Sequence, residues 1–201
     1  MSSTLLRRAL LVFIFGALVL LVALAGRVYW MMNEEQGKPA AALIGGPFEL
    51  VDQNGQPRTD RDFRGGYMLI YFGYTYCPDV CPVGLQVMAT ALDMLPEAKA
   101  KKVTPIFVTV DPSRDTVEQM KGYVEHFHPR MVGLTGSEEQ VAKAAKAYRV
   151  YYKKVEDASS TDYLVDHSSI IFLMGPDGKY VTNFTHETRP EQMAETLAKV
   201  L

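Results

Sequence analysis

Residues 67–82 have the sequence YMLIYFGYTYCPDVCP, and the order of its parts decides the fold. The apolar and aromatic run 67–74 predicts a buried strand. The only two cysteines of the chain, Cys77 and Cys81, follow that strand directly. A helix is predicted over 84–95, where leucine and methionine recur with the spacing of one helical face. A strand, a cysteine pair and a helix in this order predict an α/β domain with a site at the carboxyl edge of its sheet.

The rest of the chain alternates between strand and helix patterns. Further strands are predicted over 48–51, 103–110, 132–135, 148–155, 169–174 and 180–184. Helices are predicted to start at three capping signals, which pair Asp115 with Glu118, Ser137 with Gln140, and Thr188 with Glu191. This alternation predicts a central mixed sheet with helices on both faces. The last hairpin, followed by a C-terminal helix, is typical of a thioredoxin-like fold.

The N-terminus carries a separate signal. Arg7 and Arg8 precede an uncharged apolar run of 18 residues, 9–26, which as a helix would span roughly 27 Å of bilayer. We therefore predict a cytoplasmic N-terminus over 1–8, a transmembrane anchor over 9–30, a linker over 31–42 and a thioredoxin-like domain over 43–201. The positive-inside rule places that domain on the periplasmic, extracytoplasmic side of a bacterial-type inner membrane. The small-x-small residues 23–25 leave a cleaved signal peptide as the alternative, although the apolar run is longer than the usual signal core.

The composition of the chain limits the classes of function that it can have. The chain has 201 residues, of which 48% are hydrophobic and 22% charged, with a formal net charge of -2. Lys and Arg alternate with acidic residues and form no basic stripe, so nucleic-acid binding is excluded. A disulfide between cysteines four residues apart closes a very short loop and contributes little to folding. The cysteine pair therefore needs a chemical explanation rather than a structural one.

The cysteine spacing suits either a disulfide or a shared metal ion. Residues four apart on a helix lie on one face, about 5–6 Å apart at Cβ, and a helix N-terminus lowers the pKa of a nearby thiol. Whether the helix begins at Pro78, with Cys77 as its cap, or one turn later at Pro82, stays open. A structural zinc site is disfavoured because such sites normally use four Cys or His ligands.

His167 is the candidate third ligand. It lies in the segment VDHSS, 165–169, just before a predicted strand. In a thioredoxin-like domain the loop before this strand lies against the dithiol and normally carries a cis-proline, which is absent here. Two thiolates and one imidazole favour Cu(I) and tolerate Cu(II), with zinc as the geometric competitor. Asp111 is a candidate for orienting the imidazole or a substrate thiol, with a turn or cap role as the alternative, and Asp166 is a candidate for orienting the imidazole. His126 and His128 are predicted to be exposed at a helix end.

Three motifs resemble the SCO/SenC family of copper-delivery proteins: CPDVCP at 77–82, VTVDP at 108–112 and DHS at 166–168. The resemblance covers roughly residues 43–201. It implies a thioredoxin-like fold and a copper ion bound by Cys77, Cys81 and His167. It also implies a role in assembling the binuclear copper centre of cytochrome c oxidase. The copper-bearing oxidase subunit would then be the partner, together with an upstream copper donor or a thiol reductant.

Four functions are compatible with these features to different degrees. A membrane-anchored copper metallochaperone uses all three ligands, whereas a thiol–disulfide reductase needs only the redox dithiol Cys77 and Cys81. A peroxiredoxin-type peroxidase is disfavoured, because its pattern needs Thr and Pro where this chain has Tyr74 and Ile70. A copper-responsive signalling module is the fourth. The sequence leaves open which oxidase is served, the copper oxidation state and the reductant of the dithiol.

Overall fold

The computed structural model of the chain describes residues 3–36, 44–155 and 163–201. The chain divides into two compact units, Met1–Ala41 and Ala42–Leu201. In the described part of the first unit, helix α1 runs over Ser3–Gln36, which includes part of the stretch predicted to be a linker. No helix within the described ranges combines the length and the apolar character that a bilayer span requires. The transmembrane anchor therefore stays a prediction.

The second unit is built on a seven-stranded mixed sheet with the order β2-β1-β5-β4-β3-β8-β9. The central strands β3, β4 and β5 are parallel, and the remaining pairs are antiparallel. A separate hairpin joins β6 to β7. The strands are β1 (Glu49–Asp52), β2 (Pro57–Thr59), β3 (Tyr67–Gly73), β4 (Val103–Thr109), β5 (Val132–Thr135), β6 (Tyr152–Val155), β7 (Leu164–His167), β8 (Ile170–Met174) and β9 (Tyr180–Thr185).

Helices cover both faces of this sheet. They are α2 (Val80–Asp93), α3 (Glu97–Ala100), α4 (Val117–Glu125), α5 (Glu138–Ala147) and α6 (Pro190–Val200). Helix α2 packs against β3, β4 and α6, and α4 packs against β5, while α5 packs against β1. Successive strand residues point to opposite faces, so Tyr71 and Gly73 face α2, whereas Phe72 contacts Tyr148 on the other side. The predicted α/β, thioredoxin-like sheet with helices on both faces is confirmed.

Several predicted boundaries were wrong, for local reasons. Asp115 was predicted to cap α4, but the N-cap is the next residue, Thr116. The Thr116 hydroxyl accepts a hydrogen bond from the Gln119 N–H. The final helix begins at Pro190 after Arg189 rather than at Thr188, whose hydroxyl instead accepts from the Thr185 N–H. Ser137 and Gln140 form the predicted capping box. Tyr148, predicted to start a strand, ends α5 as its C-cap.

Candidate metal centre

Cys77 and Cys81 flank the first residue of α2. The helix begins at Val80 with Asp79 as its N-cap, so neither of the two predicted starting points, Pro78 and Pro82, is correct. Cys77 lies in the preceding turn, where its N–H donates to the Tyr74 carbonyl at 3.2 Å, and its side chain is partly buried. Cys81 lies in the first helical turn and is fully buried. Both cysteines have free thiols in this structure.

Gly73, the last residue of β3, leaves space for the Cys81 sulfur. A Cβ at this position would lie 2.5 Å from the Cys81 Sγ and 2.8 Å from a ring carbon of Phe107. Because real Cβ contacts are longer than this, only glycine leaves the space that the sulfur occupies. A glycine at the end of a buried strand is a sequence signal for close approach. That signal would have identified Gly73 as part of the site.

His167 reaches the thiols from β7, a strand that the sequence did not predict. It is the last residue of that strand and pairs with Tyr152 of β6. Its Nε2 lies 3.2 Å from the Cys81 Sγ, and its Nδ1 lies 3.3 Å from the Ser168 carbonyl oxygen. With a metal ion at this position, a proton on Nδ1 donated to that carbonyl would leave the Nε2 lone pair for the ion. The imidazole is thereby oriented as a metal ligand would be.

The two sulfurs and one imidazole nitrogen form a compact cluster. The ligand atoms of Cys77, Cys81 and His167 all lie within 4.8 Å of one another. Two sulfurs bonded to one metal ion at about 2.3 Å can be at most roughly 4.6 Å apart. The distances between the three ligand atoms are therefore close to those expected for ligands of one metal ion. Within the described residues, no other group of three or more Cys, His, Asp or Glu side chains has this geometry.

The two thiols differ in acidity. Hydrogen bonds from the Cys81 thiol and from His167 lower the pKa of Cys77 far below its ordinary value, and the N–H groups of Asp79 and Cys81 add to this. Burial raises the pKa of Cys81, and the charge on Cys77 raises it further. Cys77 is thus the more acidic of the two thiols and Cys81 the less acidic. A lowered thiol pKa was expected for a cysteine at a helix N-terminus, and it is found for Cys77 alone.

Two tyrosines from the β3 segment surround the imidazole. The Tyr74 and His167 ring centroids are 5.9 Å apart at 88°, and those of Tyr71 and His167 are 6.1 Å apart at 64°. Both rings are therefore edge-on to the imidazole. From the sequence, both tyrosines were predicted to lie in a buried strand. Their contacts with His167 depend on the position of β7 beside them, and no local sequence pattern predicts that position.

Asp111 is buried and ties the hairpin to the body of the domain. Its carboxylate accepts from the Tyr163 hydroxyl at 2.8 Å and from the Arg114 Nε at 2.5 Å. The Arg114 guanidinium lies 3.8 Å from the centroid of the Tyr163 ring and donates to the Tyr163 carbonyl. Tyr163 immediately precedes β7. The Asp111 contacts therefore hold the base of the strand that carries His167.

The other acidic and histidine residues have different surroundings. Asp166 is exposed on β7, opposite Lys153, and its role in orienting the imidazole stays a prediction, as does that of Asp111. His126 is exposed as predicted, whereas His128 is buried, so the prediction for His128 was wrong. The Arg130 N–H donates to the His128 Nδ1, which explains how a buried imidazole is accommodated.

Asp115 was predicted as a helix cap but lies beneath the cysteine loop. It is buried, and its carboxylate accepts from the Thr75 N–H at 3.0 Å, the Thr75 hydroxyl at 2.6 Å and the Thr109 hydroxyl at 2.6 Å. Burial raises its pKa. Thr75 is two residues before Cys77, so this carboxylate connects the cysteine loop to the end of β4.

Comparison with known proteins places this arrangement in a family. The family model described as SCO1/SenC matches residues 36–201. The chain belongs to the SCO1/SenC family. It is 42% identical over 197 residues to the mouse protein named "Protein SCO2 homolog, mitochondrial", covering 96% of this chain and 77% of that protein. It is 44% identical over 163 residues to the human "Protein SCO1 homolog, mitochondrial", covering 81% of this chain.

A solved SCO1/SenC structure has the same fold. The Bradyrhizobium japonicum ScoI structure, described as having copper bound, is 45% identical and superimposes with a TM-score of 0.72, covering 79% of this chain and 99% of that chain. The chain spans only 53% of the human relative's length. The SCO1/SenC resemblance predicted from the three motifs is confirmed.

Proposed function

We propose that this chain is a copper metallochaperone that holds one copper ion between Cys77, Cys81 and His167. It would deliver that ion to the copper-bearing subunit of cytochrome c oxidase, at the binuclear copper centre. The observation that carries the proposal is the convergence of two thiol sulfurs and one imidazole nitrogen within 4.8 Å. The copper-bound relative of the same fold supports copper as the ion.

The donor set suits copper as a cargo. Thiolate ligands are soft and favour Cu(I), while the imidazole nitrogen makes Cu(II) tolerable. Three protein ligands leave a coordination position through which an incoming ligand can attack. Cys77 is partly exposed, whereas Cys81 is fully buried. Transfer by ligand exchange would therefore begin at Cys77, the ligand that a partner's side chain can reach.

Oxidation of the dithiol would control loading. Forming the Cys77–Cys81 disulfide removes two electrons and two protons from the pair of thiols, which an acceptor such as an oxidised partner disulfide must take up. Both sulfurs are then bonded to each other, and neither is available as a thiolate ligand. The reduced form is the one able to accept copper.

A thiol–disulfide reductase is the second candidate. The observation that favours it is the unequal acidity of the thiols, since hydrogen bonding lowers the pKa of the partly exposed Cys77. A thiolate at an accessible position can attack the disulfide of a partner, and Cys81 can then resolve the mixed disulfide. The two functions differ in their need for His167, which the reductase chemistry does not require.

Copper binding by single-ligand variants tests the proposal. The reduced domain should bind one copper ion, and Cys77→Ser, Cys81→Ser and His167→Ala should each weaken binding by about 100-fold or more, equivalent to ~2.7 kcal/mol. His126→Ala is the matched control, because His126 is exposed and lies outside the cluster. Affinity can be measured by competition with a Cu(I) chelator of known strength.

The same variants separate the two functions. Under the chaperone proposal, His167→Ala retains dithiol reductase activity toward a disulfide substrate but fails to restore oxidase assembly in cells lacking the protein. Full restoration of oxidase by His167→Ala, with copper binding lost, would favour the reductase. Wild-type copper affinity in all three ligand variants would rule out the three-ligand site.

We also propose that α1 anchors the domain to a bacterial-type inner membrane, with the N-terminus cytoplasmic and the domain in the periplasm. The uncharged run 9–26 supports this, as do the exposed apolar side chains of α1 such as Phe13 and Leu20. The full chain should stay in the membrane pellet after an alkaline carbonate wash, while a chain starting at residue 43 should be released. Release of the full chain would contradict the anchor.

A further inference from the structure

The strand that carries His167 depends on contacts outside its own hairpin. Strands β6 and β7 form a two-stranded sheet that is separate from the seven-stranded one. Among the eight residues of these two strands, all within the described ranges, Val165 alone is buried. A two-stranded hairpin with so little buried surface is only marginally stable by itself. Contacts with the rest of the domain therefore fix the position of His167.

The Arg114 side chain makes several of these contacts. It lies in the loop between β4 and α4, and 16% of it is exposed. Its Nη1 donates to the Tyr163 carbonyl at 3.0 Å, and its Cζ lies 3.8 Å from the centroid of the Tyr163 ring. Its Nε donates to the Asp111 carboxylate, which also accepts from the Tyr163 hydroxyl. One guanidinium thus holds both the backbone and the ring of the residue that precedes β7.

The same guanidinium contacts the cysteine loop. Its Cζ lies 4.8 Å from the centroid of the Tyr76 ring and 5.7 Å from that of the Tyr74 ring, both within the range of cation–π attraction. Tyr76 directly precedes Cys77. The Tyr74 ring is also edge-on to the His167 imidazole. Arg114 therefore contacts two separate segments of the metal centre, one that adjoins Cys77 and one that leads to His167.

These contacts need the shape of arginine and not only its charge. A guanidinium is planar, so it can stack on a ring while it donates through two of its nitrogens, whereas a lysine ammonium is a compact point charge. The third nitrogen, Nη2 of Arg114, is buried and has no hydrogen-bond partner among the described residues. The tyrosine rings therefore hold the part of the guanidinium that hydrogen bonds do not. A lysine would keep the charge beside Asp111 but would lose most of the contacts with the rings.

We propose that Arg114 is a positioning residue that holds the cysteine loop and the His167 hairpin together before copper binds. This inference rests on the proposed copper function. The apparent affinity of a site falls in proportion to the fraction of molecules that have the binding-competent arrangement. Without Arg114 the hairpin spends more time away from the thiols, and copper binding must then bring the ligands together at a cost in affinity.

Arg130 provides a matched control. Its Nη1 donates to the carbonyls of Ala100 at 2.9 Å and Val103 at 3.1 Å. Val103 begins β4, whereas the cysteines follow the other end of the parallel strand β3. Arg130→Lys therefore disturbs a similar set of hydrogen bonds to backbone carbonyls at the opposite end of the sheet from the metal centre.

The first measurement is the Cu(I) affinity of the reduced full chain, in competition with a chelator. Arg114→Lys should bind copper about 10-fold more weakly than the wild-type chain, which corresponds to a competent arrangement in roughly one molecule in ten. Tyr76→Leu removes a half-exposed ring on the cysteine side alone, and should lower affinity by about three-fold, as expected for one exposed cation–π contact. Arg130→Lys should match the wild-type chain. Wild-type affinity in Arg114→Lys or in Tyr76→Leu would overturn the inference.

Hydrogen exchange separates positioning from general damage to the fold. In metal-free Arg114→Lys the amides of β6 and β7 should exchange at least about 10-fold faster than in the wild-type chain, while those of β3 and β4 keep their wild-type rates. Copper should slow exchange in the hairpin more in Arg114→Lys than in the wild-type chain, because the bound ion then makes the connection that Arg114 otherwise makes.

Three other outcomes would count against the inference or against its basis. Faster exchange in β3 and β4 as much as in the hairpin would show general destabilisation and overturn it. Equal effects of Arg130→Lys and Arg114→Lys on copper affinity would also overturn it. Failure of the wild-type chain itself to bind copper would instead refute the proposed function.

Discussion

Gly73→Ala should disable the copper site while leaving the domain folded. Gly73 ends an extended strand, so the added methyl group acts through its volume and not through the backbone conformation. The methyl carbon would lie 2.5 Å from the Cys81 Sγ, which must move by roughly 1 Å to reach ordinary contact distance. A ligand displaced by about that much no longer matches the coordination sphere. We expect copper affinity to fall by about 100-fold or more, or ~2.7 kcal/mol.

The control for Gly73→Ala is another glycine of the sheet at which a Cβ would also be too close to its neighbours, although less so than at Gly73. A Cβ at Gly133 of β5 would lie 2.9 Å from a Val124 methyl carbon and 3.2 Å from the Met120 methyl carbon. Both substitutions overpack the core and should cost about 1–3 kcal/mol of unfolding free energy. Only Gly73→Ala should weaken copper binding. Equal copper affinity in the two variants would show that the position of the Cys81 sulfur does not limit binding.

Asp115→Ala should produce the largest loss of stability. The substitution removes the acceptor for three hydrogen bonds, two from Thr75 and one from Thr109. Each buried donor left without a partner costs about 1–3 kcal/mol. Because water can enter beside Thr75 more easily than beside the fully buried Thr109, we expect a total of about 3 kcal/mol. For a domain of this size that lowers Tm by about 6–12 °C, measurable by thermal unfolding.

Two further variants define the cause of that loss. Asp177→Ala removes an exposed aspartate whose carboxylate accepts from the Lys179 N–H. It should change stability by less than about 0.5 kcal/mol. Asp115→Asn retains one carbonyl acceptor and should fall between the wild-type chain and Asp115→Ala. If Asp115→Ala were no less stable than Asp177→Ala, the carboxylate beneath the cysteine loop would have no role in holding it.

Much of the architecture was predictable because its signals are local. The run 67–74 identifies β3, the cysteines follow it directly, and the capping box at Ser137 marks the start of α5. The errors arose where one side chain had two competing partners. Asp115 has the spacing of a cap, yet its carboxylate bonds to Thr75 and Thr109, and the neighbouring Thr116 caps the helix instead.

The strand β7 shows a different limit. Its sequence, LVDH, is short and lacks a strong alternating pattern, so its existence depends on pairing with β6 rather than on its own residues. The sequence predicted that His167 would lie in a loop facing the dithiol. It did not predict that Tyr163, held by Asp111 and Arg114, would fix the base of the strand. These contacts join segments about 50 residues apart.

By itself the sequence determined the fold class, the family and the three candidate ligands, because the motifs at 77–82, 108–112 and 166–168 can each be identified from a few consecutive residues. Only the tertiary structure decided how Cys77 and Cys81 differ. They are close in sequence and chemically identical, but one lies in an accessible turn and accepts backbone N–H groups, while the other is enclosed beside Gly73 and Tyr71. Burial and hydrogen bonding set the acidity of each thiol, and both depend on parts of the chain that meet only after folding.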